Sequence, residues 1–148
     1  MNKVILIGNV GTDPNVRYLD SGVCVAQIRL ATTERGYTLQ NGTQVPERTE
    51  WHNVIFWRKL AEIVETHVHK GDKIFVDGKI QSRNYTDQQG LTRHVTEIMA
   101  DNMEILVRKS DSVKRQEATQ EEVAATQDTI KEINSLQEEE REEDELVF

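Results

Sequence analysis

Two tryptophans stand six positions apart in the stretch TEWHNVIFW, residues 49–57. Side chains alternate across a β-strand, so Trp51 and Trp57 share one face of a strand here, while Val54 and Phe56 share the other. The face with Val54 and Phe56 is predicted to be core, which leaves the two indoles to meet solvent, a second subunit or a ligand. A tryptophan in a strand is usually a packing residue, so the competing interpretation places both rings in the core.

Basic residues accompany the aromatic residues along the chain. The set comprises Arg35 beside Tyr37, Arg58 and Lys59 beside Trp57, Arg83 beside Tyr85, and Arg93 on the opposite arm of the same predicted hairpin. Rings that stack on bases contribute about 1–3 kcal/mol per base, while Lys and Arg pair with phosphates, and neither contact reads base sequence. Six strand residues at about 3.3 Å each separate Trp51 and Trp57 by roughly 20 Å, which is room for several nucleotides. The combination favours a surface for single-stranded nucleic acid.

The charge of the chain divides near residue 110. The 148 residues carry a net charge of −8, but residues 1–109 hold 14 Lys and Arg against 13 Asp and Glu. Residues 110–148 hold 4 against 13 and have no Gly, Pro, Trp or Tyr. Because the negative charge lies in the tail, the front domain remains free to bind a polyanion.

The single cysteine and the N-terminus indicate a cytoplasmic protein. Cys24 lies in the apolar run VCVAQI, which predicts a buried thiol, and one cysteine forms no intrachain disulfide. The N-terminal apolar run of four residues is too short for a signal sequence or a membrane span. We therefore expect no membrane association.

Hydrophobic periodicity predicts that residues 1–109 form an all-β domain that contains one short helix. Three predicted strands precede the helix, whose apolar stripe is Leu60, Ile63 and Val64, and two further strands follow Gly71. This order is that of a five-stranded OB-fold barrel, a fold whose sheet face and loops bind oligonucleotides or oligosaccharides. Residues 110–140 have few apolar anchors and much Gln, Thr and Glu, which predicts a disordered linker with at most a transient helix. Residues 141–148 form an acidic tip.

Several motifs resemble the bacterial single-stranded DNA-binding protein (SSB) family. They are MNKVILIGNVGTDPNVRY, ATTER, RTEWHNVIFWRKLAEI and YTDQQG, followed by an acidic tail that ends in phenylalanine. The resemblance covers residues 1 to about 107 and returns at the last few residues. It implies sequence-independent binding and protection of single-stranded DNA in replication, recombination and repair, near the bacterial nucleoid, with neither enzyme activity nor a cofactor.

The resemblance also assigns residues to the DNA-binding site. Stacking positions of the family match Trp51, Trp57 and Tyr85, with Tyr37 the nearest loop candidate. Basic family positions that face the strand match Lys3, Arg17, Lys59, Arg83 and Arg93, and Arg35 joins them from its place beside Tyr37. Asn53 stands where relatives often carry Arg, so one phosphate contact is expected to be missing.

Two further surfaces follow from the resemblance. Family members are homotetramers, and the position of His52 lies near a subunit interface in that assembly. The acidic tip is expected to dock on replication and repair proteins, with a basic rim for the acidic residues and an apolar slot for the terminal ring. The tip residues are Glu142, Glu143, Asp144, Glu145, Leu146, Val147 and Phe148. Glu replaces most of the family's Asp here, and Val147 replaces its Pro.

Other functions are less well supported by the sequence. His67 and His69 are two residues apart and point to different sides of a helix, which disfavours a metal site. No Gly-rich phosphate loop or nucleophile elbow is present, which disfavours a nuclease or a deaminase. An OB-fold adaptor that mainly recruits a helicase or polymerase stays open, and so does a cold-shock-type RNA binder, although the helix and the acidic tail argue against the latter.

Overall fold

The structure is a computed structural model that describes residues 1–145, with side-chain surroundings described for residues 1–135. The chain divides into two compact units, residues 1–109 and 110–148. The elements of the described chain, in order, are β1 (Val4–Val10), β2 (Asn15–Tyr18), β3 (Cys24–Glu34), β4 (Tyr37–Thr38), β5 (Gln44–Val45), β6 (Arg48–Trp57), α1 (Arg58–His67), β7 (Lys73–Thr86), β8 (Thr92–Val107) and α2 (Lys109–Glu145).

Five long strands close into a ring in the first unit. The sheet order is β1-β7-β8-β6-β3, and β1 returns to β3 through the pairs Asn9 with Ala31 and Val10 with Leu30. β6 and β8 are parallel, and the other neighbours are antiparallel. A five-stranded ring with α1 between its third and fourth strands is the OB-fold arrangement, so the predicted fold class is confirmed. β2 extends the sheet beside β3, and β4 and β5 form a separate small hairpin.

The core follows the alternation of β3 and β6. Ile28, Leu30, Val54 and Phe56 are buried with at most 1% exposure, and the free thiol of Cys24 is buried as predicted. Ile28 pairs with Val54, and Phe56 pairs with Ala26 of β3, so the even-numbered residues of both strands share the inner face of the barrel. Burial of such side chains supplies the main stabilisation of the ring, at about 1.5–3 kcal/mol each.

Gly8 allows the ring to close. A Cβ atom built on Gly8 would lie 2.2 Å from the carbonyl oxygen of Ala31 in β3. No side chain fits at that distance, so only glycine permits β1 to cross from β7 towards β3 at this point.

Helix α1 begins directly after Trp57 at a strained residue. Arg58 has φ +56°, a left-handed conformation that L-residues other than Gly, Asn and Asp rarely adopt. Ala61 and Val64 are buried on its inner side, while Ile63 is 40% exposed. The predicted core stripe was therefore right for Val64 and for Leu60, which packs partly buried against the core, and wrong for Ile63, whose place is taken by Ala61.

The second unit differs from the disordered linker expected over residues 110–140. Its backbone is helical from Lys109 to Glu145. The segment lacks Gly and Pro and is rich in Glu, a good helix former, so local propensity favours a helix without a buried face. Low apolar content, on which the expectation of disorder was based, measures burial and says little about this propensity.

Candidate nucleic-acid interface

The two tryptophans lie on the outer face of β6. Trp51 is 52% exposed and Trp57 is 42% exposed, whereas Val54 and Phe56 between them are fully buried. The alternation predicted from the sequence is therefore confirmed for these four residues. Ile55 is the exception on the outer face, at 8% exposure. Ile55 pairs with Gln27 of β3 on one side and with Met99 of β8 on the other, and these neighbouring strands cover it. The residue pattern of β6 alone does not predict this burial.

A row of side chains crosses three strands at Trp57. Arg17 of β2 pairs with Val25 of β3, and Val25 pairs with Trp57 of β6. Directly paired residues point to the same side of a sheet, so the guanidinium of Arg17 and the indole of Trp57 share the outer face. Arg17 is exposed. The structure thus brings together a predicted cation and a predicted ring that lie 40 positions apart in sequence.

Trp51 is held in place by two residues that sequence reasoning missed. The guanidinium carbon of Arg29 lies 5.4 Å from the centroid of the Trp51 ring, a cation–π distance. A Cβ atom on Gly11 would lie 2.2 Å from Cζ3 of the same ring, so Gly11 provides the space that the indole occupies. The alternation of β3 placed Arg29 outward, and its contact with Trp51 emerges only from the register of β3 on β6.

Arg29 also bears on the missing arginine at position 53. Its Cα pairs with that of Asn53, so the two side chains share the outer face. A cation therefore stands one strand away from Asn53, the position where the resemblance led us to expect a missing phosphate contact. The outer face keeps a positive charge between Trp51 and Trp57.

The β7–β8 hairpin carries a second aromatic and basic group. Tyr85 is 46% exposed and pairs with Arg93 across the hairpin. The guanidinium carbon of Arg83 lies 5.7 Å from the Tyr85 ring. Arg83 and Tyr85 are two residues apart in β7, so they lie on one face of the hairpin. Of the predicted site residues, the structure thus brings Arg83, Tyr85 and Arg93 together.

Three predicted phosphate-binding residues already pair with carboxylates. Lys3 Nζ lies 2.9 Å from Asp77 Oδ2, and Arg93 Nε donates to Asp87 Oδ2 at 2.9 Å. Arg83 donates through Nε and Nη2 to both oxygens of Glu97, at 3.1 Å and 2.9 Å. The hydrogen bond with Glu97 raises the pKa of Arg83 above its ordinary value. A phosphate bound by any of these side chains would have to replace a carboxylate, which would lower the net contribution to binding.

The carboxylate of Asp87 organises the turn of this hairpin. It accepts hydrogen bonds from Arg93 Nε and from the backbone N–H groups of Leu91 and Gln89. These bonds, that from Arg93 foremost, hold the pKa of Asp87 below its ordinary value. The turn therefore fixes the position of Tyr85 and Arg93 through a charged group.

The remaining predicted cations and the loop tyrosine are exposed. Lys59 lies in the first turn of α1, next to Trp57 and Arg58. Arg35 precedes the small β4–β5 hairpin, and Tyr37, the first residue of β4, is 61% exposed. Tyr37 also borders a shallow hollow beside Gly36, Val45 and Pro46. Tyr37 belongs to a two-stranded sheet apart from the one that bears the tryptophans, and Arg35 lies two residues before it.

His52 lies on the same side of β6 as Val54 and Phe56 and pairs with the buried Leu30 of β3. Its Nε2 is 2.8 Å from the hydroxyl of Thr32, and the side chain is partly buried. The role predicted for it at a subunit interface stays a prediction. Among the described residues, no group of three or more His, Cys, Asp or Glu is arranged to hold a metal ion.

The acidic tip falls outside the described side chains. Residues 146–148 have no described structure, and residues 142–145 are described only as the last residues of α2. The partner-binding role of Glu142 to Phe148 stays a prediction. Within the described part of the chain, no helix has the length and apolar character needed to cross a membrane.

Comparison with known proteins covers the whole barrel. The model of the single-strand binding protein family matches residues 1–106. A single-stranded DNA-binding protein of Bacteroides thetaiotaomicron is 62% identical over 109 residues, which span 74% of this chain and 68% of that protein. Single-stranded DNA-binding protein 1 of Xylella fastidiosa strain 9a5c is 44% identical over 114 residues, which span 77% and 83% of the two chains. This chain belongs to the single-strand binding protein family.

Proposed function

We propose that the barrel binds single-stranded DNA without reading its base sequence. The observation that carries the proposal is the half-exposed state of Trp51 and Trp57 on one outer face, with Arg17 and Arg29 on the same face. Rings in this setting stack on bases of any kind, and the cations pair with the phosphates between them. The relatives named as single-stranded DNA-binding proteins support the same conclusion.

The proposed path of the strand runs over the sheet and onto the hairpin. Trp57 with Arg17 and Trp51 with Arg29 provide two stacking sites on β6, and Tyr85 provides a third on β7. Lys59 lies at the Trp57 end of this path, and Lys3, Arg83 and Arg93 exchange carboxylates for phosphates when DNA is bound. Tyr37 and Arg35 contribute from the β4–β5 hairpin. This arrangement acts by binding alone, with no role as an enzyme.

We further propose that the protein protects unwound DNA in replication, recombination and repair as a cytoplasmic, nucleoid-associated homotetramer. Exposed apolar residues on β1 support an assembly: Ile5 is 60% exposed and Ile7 is 53% exposed on the outward side of that strand. β1 pairs with β3 only at Asn9 and Val10, so the backbone of residues 4–7 has no strand partner on the β3 side. The exposed side chains of Ile5 and Ile7 belong to this unpaired stretch. An open edge with apolar side chains favours contact with another copy. His52 is expected to lie near an interface of this assembly.

The main test is quenching of tryptophan fluorescence during titration with oligo-dT, a matched duplex and oligo-rU at two salt concentrations. Strong, salt-dependent quenching by oligo-dT, with little quenching by duplex, is expected. Equal affinity for oligo-rU would extend the ligand to RNA and favour the RNA-binder reading. If none of the three nucleic acids quenches the fluorescence, Trp51 and Trp57 would instead pack in the core or at a subunit interface. That result would favour an OB-fold adaptor whose main role is to recruit other proteins.

Recruitment of partners through the tip has its own test. The terminal ring and the acidic residues before it suit a pocket with a basic rim. Removal of residues 141–148 is expected to abolish capture of replication and repair proteins, while DNA affinity is unchanged or slightly raised because like charge is removed. The variant Phe148→Ala, which keeps every charge, is expected to lose capture as well. Unchanged capture by both variants would reject the role of the tip.

A further inference from the structure

One stripe of helix α2 has the spacing of a coiled-coil seam. Its members alternate by four and three residues, and they are Thr119, Val123, Thr126, Ile130 and Ile133. This 3-4 spacing keeps the five side chains on one side of a helix, as the a and d positions of a heptad do. Val123, Ile130 and Ile133 are each about half exposed. These five residues are called the α2 seam.

The two threonines of the α2 seam already satisfy their hydroxyl groups. Thr119 donates to the carbonyl of Arg115 at 2.7 Å, and Thr126 donates to the carbonyl of Glu122 at 2.8 Å. A buried hydroxyl without a partner is costly, but these hydroxyls keep their partners whether or not the seam is covered. The α2 seam can therefore be buried with little polar penalty.

A hollow on the helix surface coincides with the hole that a parallel partner would fill. It is lined by Thr119, Glu122, Val123, Thr126 and Gln127, with a volume of about 330 Å³, which admits a side chain. In a coiled coil each a or d side chain inserts into a hole made by four residues of the facing helix. For a parallel partner with Val123 at position a, the geometry of the heptad assigns Thr119, Glu122, Val123 and Thr126 to that hole. The hollow thus matches the hole into which Val123 of the partner helix would insert.

Within residues 119–134, Glu122 is the one charged residue beside the α2 seam, and its g position faces the uncharged Gln127 at e of a parallel partner. Glu121 and Asp128 lie at the heptad position farthest from the seam, and Gln120, Gln127 and Asn134 occupy the flanking e positions. Like charges at flanking positions would oppose pairing of identical helices, and uncharged e positions avoid this repulsion. A second copy of α2 is therefore electrostatically compatible with the α2 seam.

We propose that α2 pairs in parallel and in register with α2 of a second copy of this chain through the α2 seam. Val123 and Ile130 stand at position a, where parallel two-stranded coiled coils use β-branched residues, while Thr119, Thr126 and Ile133 occupy position d in place of the usual Leu. Two heptads are marginal alone, so pairing requires copies that are already held together, as in the proposed assembly of barrels. The proposed contact is between two α2 helices and does not require DNA.

Disulfide cross-linking of the full-length protein without DNA tests this proposal. Thr119→Cys and Thr126→Cys place thiols in the seam, and Glu121→Cys and Asp128→Cys place them on the opposite side of the helix. With oxidised glutathione, each seam variant is expected to give at least about tenfold more covalent dimer than its control, since a disulfide needs Cα atoms within about 7 Å. The native Cys24 is 1% exposed and does not contribute.

The pattern of cross-links decides the outcome. An antiparallel pair can bring only one of the two threonine positions against itself, so dimer from only one seam variant would overturn the parallel arrangement. Equal yields from seam and control positions, or no dimer from any, would overturn the pairing itself. Ile130→Asp in the Thr126→Cys background is expected to abolish the cross-link. Retained DNA affinity in these variants would show that failure of the pairing leaves DNA binding intact.

Discussion

Arg29 lies over the indole of Trp51, with the guanidinium carbon 5.4 Å from the ring centroid. The two residues belong to neighbouring strands and share the outer face of the sheet. A cation–π contact of this kind contributes about 0.5–1 kcal/mol at an exposed site. In the proposed complex with DNA the indole would therefore be oriented before binding, which reduces the ordering that binding requires.

Replacement of the tryptophans separates stacking from packing. Trp51→Ala and Trp57→Ala are each expected to weaken oligo-dT binding by about 1–3 kcal/mol with little change in melting temperature, because both rings are half exposed. Titration calorimetry and thermal melts measure the two effects. Phe56→Ala, on the inner face of the same strand, is the matched control and is expected to lower stability by about 3–5 kcal/mol. A large fall in stability with unchanged binding in the Trp variants would place their rings in a packing role.

Gly11→Ala tests whether the position of the Trp51 indole depends on the space left by Gly11. The new Cβ would lie 2.2 Å from Cζ3 of the ring, so the indole must move. DNA affinity is expected to fall by about 1 kcal/mol or more, up to the loss caused by Trp51→Ala. In the double variant Gly11→Ala with Trp51→Ala, no further loss is expected, because the two changes act on one ring. Additive losses would show that Gly11 acts on DNA binding by another route.

Glu97→Gln tests the exchange of carboxylate for phosphate at Arg83. Glu97 binds both Nε and Nη2 of Arg83, so loss of its charge frees the guanidinium for DNA. The slope of log K against log salt is expected to steepen by about 0.7, the value for one phosphate contact on a single strand. Asp101→Asn removes an exposed carboxylate from the same strand and controls for net charge. An equal change in both variants would indicate a general charge effect.

The hairpin turn is expected to depend on pH through Asp87. Its pKa is lowered in the folded state, so its stabilising effect is fully present above the unfolded value near 3.9 and is lost as the pH falls through the lower native pKa. NMR shifts of the Gln89 and Leu91 amides should therefore stay constant from pH 7 to 5 and change only in strong acid. Thr43 N–H, bound to the uncharged amide of Asn41 in a similar turn, is the control and should not titrate. A midpoint above pH 4 would contradict the assignment.

Arg58→Gly tests the strain at the junction of β6 and α1. Arg58 has φ +56°, and a left-handed residue other than glycine costs roughly 1–2 kcal/mol. Glycine relieves this cost, so chemical denaturation is expected to show a gain of about 1 kcal/mol after its own entropic penalty. Lys59→Gly, one residue further into the helix, should instead lose about 1 kcal/mol. Destabilisation by both variants would mean that the backbone at Arg58 is unstrained.

The alternation along each strand was enough to predict the faces of the barrel. Trp51 and Trp57 outward, Val54 and Phe56 inward, and a buried Cys24 all follow from a period of two within one strand. Contacts between strands could not be predicted in this way. Arg29 meets Trp51, and Arg83 meets Glu97, because of register between segments 14 or more residues apart.

The helices show a second limit. Ile63 was predicted to be core as part of an apolar stripe, but the buried side of α1 follows Ala61 and Val64, and the small side chain of Ala61 gives only a weak hydrophobic signal. For α2, the scarcity of apolar residues indicated disorder, whereas helix propensity and intrahelical bonds such as that of Thr126 are independent of burial.

The closure of the barrel also constrains how the chain folds during synthesis. β1 pairs with β7 through contacts such as Leu6 with Val76, and β6 pairs with β8 at Ile55 and Met99. The first strand can pair early with β3 only at Asn9 and Val10, and its longer pairing with β7 waits for about 70 more residues. The barrel cannot close until β8 has left the ribosome. Such long-range pairing belongs to the slow class of folding, from milliseconds to seconds. On a nascent chain, the indoles of Trp51 and Trp57 therefore leave the ribosome well before the sheet that holds them on one face is complete.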